Sequence, residues 1–533
     1  MGRPCTCRGS RRRGVDVESI TCSVNVLERV IPLIVRAGTV TNSTVSMSSV
    51  PEWVPGTSWL PRSRAAGLPV VVTVRVLRPC MIGRGTGGIS TSRITIIGAG
   101  SHFTPGVLRD AMNSQTLSGS RITLMDLDLE SLKLTTKLAK RMVQERNADL
   151  EIEATTDRKV ALKSADFVIT TILVGGLGVC KTDIDIPTKY GVYQTVGDTV
   201  GPGGLIRAFR TIPAMVEIAK DMGRICPDAW LFNYSNPLTC LSIAVRETTD
   251  VKMMGLCHGI RGTMKTIATF LGTTRDRMNY LAAGINHLTW ILDMRISGKD
   301  CYPNLRDMLK AADLPGWPIS SKLFRIFGYF PSPGDRHIAE FLPYFLTDRT
   351  EKGAKYGLKL REIDRMMEDK RERTKMLQAQ ADGSQPLGDL TAFSGEEVIR
   401  IIESIVDNRN AEFVVNIPNE GFVPNLPRGA IIETHALVGS HGMRGIHIGN
   451  MPDALAAITH YRIIQQELTT KAALEGDRLL SLQALLLDPM VGSVEDAESM
   501  LDELLRASSR YLPQFEDSAL RRPSRRSEKP RKS

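Results

Sequence analysis

The chain has 533 residues, 42% hydrophobic and 24% charged, which is the composition of an ordinary globular protein with room for two or three domains. No apolar run approaches the ~20 residues of a membrane helix. Nine cysteines without a paired Cys-x-x-Cys element exclude a disulfide scaffold and argue against a zinc ribbon. The net charge of +10 sits on the ends: residues 1–92 and 521–533 contribute +8 and +6, which leaves the middle at −4. Basic tails without interleaved aromatics make nucleic acid a poor partner.

In chain order, residues 1–92 show no sustained period. Their Arg bias near Met1 resembles a transit peptide, but no amphipathic helix follows, and charge and Pro interrupt VLERVIPLIV as a secretory core. The segment is expected to be a disordered extension or to lie upstream of the true start, with Met81 just ahead of the first regular element. From Arg93 the pattern is regular. RITIIGAG, RITLMDLD, LEIEAT, DFVITTIL, AWLFNYS and KMMGLC read as buried parallel strands. Helical stretches such as TPGVLRDAMNS and LIRAFRTIPAMVEIAKDM separate them. The alternation predicts an α/β, doubly wound Rossmann-like domain over residues 93–279. Residues 280–520 change to longer helices (GEEVIRIIESIVDN, DALAAITHYRIIQQELTTKAAL, VEDAESMLDELLRAS) with a few strands, a mostly helical α+β domain. Residues 521–533 read as a disordered basic tail.

The first chemical motif is Gly98-Ala99-Gly100-Ser101 at the end of a strand. A glycine turn there lets the backbone approach a pyrophosphate seated on the following helix N-terminus. The third glycine of the usual fingerprint is Phe103 here. Asp126, closing the next strand, is placed to bond ribose hydroxyls and to disfavour NADP. A merely structural glycine turn is the rival reading. Next come Cys257-His258 after an apolar strand and His287 in GINHLTW. Thiolate and imidazole can share a divalent metal, although their spacing alone fits a packed thiol and a core histidine better. Cys226, Cys240 and Cys301 read as small buried hydrophobes. Polar loops rich in Gly and Pro carry Asp198, Asn233, Asn236, Asp335, Arg336, His337, Asn416, Asn419 and Asn425. Turn-forming roles compete with ligand contacts at each of them.

Taken together, GAGS, the Asp126 strand end, YQTVGDTVGPGGLIRAFRTIP, NYSNP, GLCHG, GINHLTW, GDRHIAEFLPYF and NxxNxGxxxNLP followed by Glu433 resemble glycoside hydrolase family 4 over about residues 93–515. The resemblance implies a lactate/malate dehydrogenase-like arrangement and an NAD- and Mn²⁺-dependent glycosidase working without the usual carboxylate pair. The implied route is C3 oxidation, C2 deprotonation, elimination of the aglycone and addition of water. By resemblance, Cys257 and His287 are the metal ligands and Asp198 is the acid for the leaving oxygen. Asp335 is the C2 base, with Arg336, His337 and Tyr344 close by. Asn236 contacts sugar hydroxyls, and His258 belongs with the substrate residues. Arg336 can pair with a C6 carboxylate. The His258-Gly259 step points to an unphosphorylated α-glucoside, α-galactoside or α-uronide, with a 6-phospho-α-glucosidase as the alternative. The resemblance also implies a homodimer or homotetramer, and a thiolate ligand implies a reducing, cytoplasmic setting. Two rival classes are a 2-hydroxy-acid dehydrogenase and a non-catalytic NAD-binding sensor.

Overall fold

In this computed structural model residues 91–515 are described, together with an antiparallel strand pair, Thr21–Ser23 and Val71–Thr73. The expectations for the rest of the N-terminal segment and for the tail 521–533 lie outside the described residues. The chain divides into two units, Met1–Thr86 and Gly87–Ser533, and everything below concerns the second.

Its six expected strands all form: β1 (Arg93–Ile97), β2 (Ser120–Met125), β3 (Leu150–Thr155), β4 (Phe167–Thr170), β5 (Trp230–Asn233) and β6 (Lys252–Gly255). They pair in parallel in the order β3-β2-β1-β4-β5-β6. That order is the doubly wound arrangement that binds dinucleotides where it reverses, between β1 and β4. The strands read as unbroken apolar runs because both faces are covered. Val168 and Leu231 point into a core with the helices Gly201–Ile225 and Leu238–Thr248. Their neighbours Phe167, Ile169 and Phe232 face the helices Thr104–Met112, Leu129–Arg146 and Val398–Val406.

The sheet then continues in antiparallel fashion. It adds β7 (Met278–Ile285), β8 (Leu288–Ile296), β9 (Lys299–Asp300), β10 (Phe330–Ser332), β11 (Ala411–Pro418), β12 (Ile431–Gly439) and β13 (Gly442–Gly445). Strand β11 meets β6 through Asn416 and Gly255, and the order runs β6-β11-β12-β7-β8-β9, with β10 on β8 and β13 on β12. This half is richer in strands than its sequence predicts. A segment such as MNYLAAGI has no alternation and little β-branching, and only cross-strand pairing makes it a strand. The expected helices appear at Val398–Val406, Asp453–Glu475 and Val494–Ser508. The last two, with Arg478–Leu486, pack on the helix Gly201–Ile225 and so bind these late helices to the parallel half. No helix among the described residues is long and apolar enough to cross a membrane.

Candidate active site

At the point where the strand order reverses, Gly98 has φ +87°, and a Cβ on it would lie 2.3 Å from the Thr171 carbonyl oxygen. Gly100 leaves equally little room: its Cβ would stand 2.6 Å from Ser131 Cβ. The turn is therefore built for a bare backbone, the condition for close approach of a pyrophosphate. Asp126 is half-buried beside it. One carboxylate oxygen accepts the Gly100 N–H (2.7 Å) and the other accepts the Asp128 N–H (2.9 Å), which fixes the acid at the mouth of the turn. Ser101 Oγ accepts the Phe103 N–H at 3.2 Å. Phe103, the residue in place of the third glycine, packs on Tyr234 with ring centroids 4.5 Å apart.

The other predicted residues come from loops at the carboxyl ends of β5, β6 and β10, from the loop before the helix Gly201–Ile225 and from the β7–β8 turn. Asn286 and His287 form that two-residue turn, since Ile285 pairs with Leu288, and His287 takes φ +67°. This position ordinarily selects Gly or Asn, and a histidine held there marks strain kept for a purpose. The Thr199 hydroxyl donates to Asp198 (2.8 Å) and bonds His287 Nδ1 (2.8 Å). Its single proton points to Asp198, so by the hydrogen-bond network Nδ1 carries the imidazole hydrogen and Nε2 keeps its lone pair. Burial, aided by His337, pushes the His287 pKa down to about 3, so the ring is neutral. His337 lies against it with ring centroids 4.2 Å apart. Burial also pushes His337 down to about 4, helped by Arg336 and Arg361 against the pull of Asp198. Asp198 is itself buried, which works to raise its pKa, yet the Arg207 charge, with His287, His337 and the Thr199 hydrogen bond, outweighs burial and holds it down at about 2.

Cys257 opens the helix Gly259–Phe270 and accepts the Gly259 N–H on Sγ at 3.3 Å. Burial and the Glu433 carboxylate push its thiol up, opposed by Gly259 and Asn286. Asn286 is wholly buried between Cys257 and Glu433, and neither of its amide atoms has a well-formed partner. Glu433 accepts from Thr289 and from Asn416 (3.2 Å), and burial pushes it up to about 7. Among the described residues no three His, Cys, Asp or Glu side chains converge as a complete metal site. What the site offers is a thiol, an imidazole with a free Nε2 and an orphaned amide, a donor set that leaves coordination positions for substrate oxygens. Cys257 lines a cavity of about 470 Å³ and His258 an adjoining one of about 670 Å³. The largely exposed His258 ring bonds Glu396 through Nδ1 (3.3 Å), which raises its pKa.

Two predicted residues have local hydrogen-bond partners of their own. Asp335, expected as the C2 base, accepts the Ile319 and Ser320 N–H groups (2.7 and 2.8 Å) and the Ser320 hydroxyl (2.5 Å). Its buried carboxylate thus caps the helix Pro318–Phe327 rather than joining Asp198, His287 and His337. Arg336 is exposed and donates to the Thr195 carbonyl at 2.7 Å. Asn236 lies at the carboxyl end of β5, in a cis peptide with Pro237, and accepts the Leu238 N–H at 3.2 Å. Asn233, Asn419 and Asn425 brace their own loops, as turn chemistry anticipates.

The residue least visible beforehand is Glu340. Its Oε1 accepts three successive backbone N–H groups, Thr195 (2.7 Å), Val196 (2.7 Å) and Gly197 (2.9 Å), and so fixes the loop that carries Asp198. The only sequence signal was its place three residues after His337, on the same helical face.

The model of family 4 glycosyl hydrolases matches residues 93–273, and that of the family's C-terminal domain matches residues 282–491. The chain belongs to glycosyl hydrolase family 4. This family 4 glycosidase is 33% identical to an alpha-galactosidase of Bacillus subtilis, over 79% of this chain and 99% of that one. It is 31% identical to an alpha-galacturonidase of Thermoanaerobacterium saccharolyticum, over 80% of this chain and 97% of the other. Its fold is shared with a 6-phospho-alpha-glucosidase from gut microorganisms solved in complex with NAD and Mn²⁺, at TM-score 0.71 and 22% identity, covering 80% of this chain and 100% of that one.

Proposed function

We propose that this family 4 enzyme cleaves α-glycosides by transient oxidation at C3 and elimination across C1–C2, with NAD and a divalent metal such as Mn²⁺ as resident cofactors. The observation that carries the reading is the convergence of buried Asp198, Thr199 and His287 with half-buried His337. Gly98, Gly100, Ser101 and Asp126 would hold NAD, and Cys257 with His287 Nε2 would hold the metal. When bound, NAD supplies a hydride acceptor and donor for C3, and the metal polarises the C2 and C3 oxygens.

The chain's own residues do the rest. Thr199 fixes the His287 tautomer. His337, neutral and tilted against His287, is the base for the C2 proton; Asp335 serves it by anchoring the start of the same helix. Asp198 exchanges a proton with the leaving oxygen, and since it rests ionised it must first take one up. Asn236 and His258 line the sugar site, and Arg336 stands at its rim. The glycone is an unphosphorylated glucoside, galactoside or uronide. The thiol of Cys257 favours a reducing, cytoplasmic setting, and family resemblance favours a dimer or tetramer.

Turnover of an α-glycoside panel in D₂O, with NAD⁺, Mn²⁺ and thiol, tests the route by NMR. Released sugar carrying deuterium at C2 is expected. Release without C2 deuterium would refute the elimination, and reduction of NAD⁺ by hydroxy acids without any glycoside cleavage would favour a dehydrogenase.

A further inference from the structure

The helix Ile363–Asp382 is anchored at its two ends and open in its middle. At its first turn Ile363 packs with Cys180 and Ile184 of the helix Gly176–Lys189, which follows β4, and Asp364 pairs with Lys181. At its last turns Leu377 and Ala381 join the core beside the helix Leu129–Arg146, which follows β2, and Asp382 pairs with Lys137. The helix therefore crosses the crevice outside the carboxyl ends of the parallel strands, where their order reverses. From Glu368 to Met376 every residue except Thr374 is exposed. The 20 residues span about 30 Å, and the middle turns have no core beneath them.

What the middle faces is the glycine turn. Arg373 donates a guanidinium N–H to the His102 carbonyl (3.4 Å), and the His102 ring bonds the Thr374 hydroxyl (3.3 Å). Burial lowers the His102 pKa, and the charges of Arg373 and Lys370 lower it further. Lys370 lies three residues before Arg373, on the same face. Arg371 and Lys375 lie off that face and pair within the helix, with Glu368 (2.8 Å) and Glu372 (2.7 Å). Lys370 and Arg373 form no ion pair among the described residues.

The turn lacks what these two residues carry. Residues 98–104 and 126–132 contain Asp126, Asp128 and Glu130 and no lysine or arginine. Backbone N–H groups and a helix N-terminus supply only partial positive charge. A pyrophosphate seated there would have no full cation from the turn itself, and the two unpaired cations stand across from it. We propose, resting on the NAD assignment above, that the helix Ile363–Asp382 straps the dinucleotide into its crevice and that Arg373, aided by Lys370, binds the pyrophosphate from the side opposite the glycine turn. Guanidinium and ammonium donors both suit phosphate oxygens.

The test is calorimetric titration of NAD⁺ into the full-length protein freed of cofactor. Loss of a charge-assisted hydrogen bond predicts at least about a tenfold weaker Kd in Arg373→Gln. Lys370→Gln should weaken binding in the same direction, and both variants should lose part of its salt dependence. Arg371→Gln should bind as wild type does. In wild type, NAD⁺ should also slow hydrogen exchange of the backbone amides between residues 366 and 377. Wild type that binds NAD⁺ while Arg373→Gln stays within about twofold of it would overturn the strap and leave the cofactor assignment standing. An equal loss in Arg371→Gln would show a diffuse field instead of a contact, and would overturn it too. If wild type binds no NAD⁺, the cofactor assignment fails and takes the strap with it. Should Arg373→Gln melt earlier than wild type, exchange in the wild-type protein decides: unchanged rates in the strap on adding NAD⁺ would refute the proposal.

Discussion

The parallel and antiparallel halves build their shares of the site by opposite means. At the β1 turn the material is backbone: glycines with no room for a Cβ, and Asp126 bonding the Gly100 and Asp128 amides. All of it lies within about thirty consecutive residues. In the proposed sugar and metal region the material is side chains drawn from far apart, with Asp198, Cys257, His287 and His337 each on a separate segment and Glu340 and Glu433 behind them. A local, backbone-made site is tuned by shape, whereas a convergent, side-chain site is tuned by charge and by whatever keeps its segments in register. Asp488 shows how far that support extends, since it bonds both Arg462 and the Gly201 N–H at the start of the long helix.

That contrast can be broken at several points. The largest effect is expected from Asp488→Ala, which leaves Arg462 buried and unpaired and should cost about 3–5 kcal/mol in denaturant unfolding. A loss under about 1 kcal/mol would show that Arg462 is held by Gln465 and the carbonyls of Glu340 and Phe341 alone. Cys257→Ser should lower kcat/KM by more than about 100-fold, beyond the usual effect of a residue behind the ligands. Its NAD⁺ affinity by calorimetry should stay at the wild-type value; a parallel fall in both would mean that the two halves do not act separately.

Gly98→Ala is the converse. A left-handed alanine costs about 1–2 kcal/mol before the clash with Thr171 is counted, so NAD⁺ should bind at least about tenfold more weakly. The Mn²⁺ concentration giving half activation should not move, and a shift there would blur the division.

The last change, from Glu340→Gln, is confined to pH dependence, because glutamine keeps an oxygen for the same amides. Burial raises Glu340 from the usual 4.5 to about 7, opposed by those amides. The folded state therefore prefers the protonated acid, and this contribution is complete below pH 4.5 and lost as pH rises through about 7. The permanently neutral variant should gain in melting temperature relative to wild type across that window and hold its lead above it. Parallel curves would mean that the amides keep Glu340 at its ordinary pKa.

Legibility followed the same division. The six parallel strands, the glycine turn and Asp126 could be read directly, because apolar runs buried on both faces and a strand–turn–helix step are local properties. The antiparallel strands were undercounted, since MNYLAAGI becomes a strand only by pairing with its neighbours. Cys257, His287 and Asp198 were nameable as residues, yet nothing in their spacing shows that Thr199 links Asp198 to His287. Asp335 shows the limit most plainly. Its place next to Arg336 and His337 gives no sign that its carboxylate accepts the Ile319 and Ser320 amides of the helix Pro318–Phe327.

The sequence by itself therefore determined the doubly wound half, the glycine turn and the candidate groups of the site. Tertiary structure alone decided which of those groups meet, which acids are consumed by backbone amides, and which arginines are left without a carboxylate. The physical reason is range. Strand burial and glycine turns are set by neighbours a few residues apart. Charge balance and hydrogen-bond satisfaction are settled only when segments more than a hundred residues apart are brought within 3 Å, as Glu340 and Thr195 are.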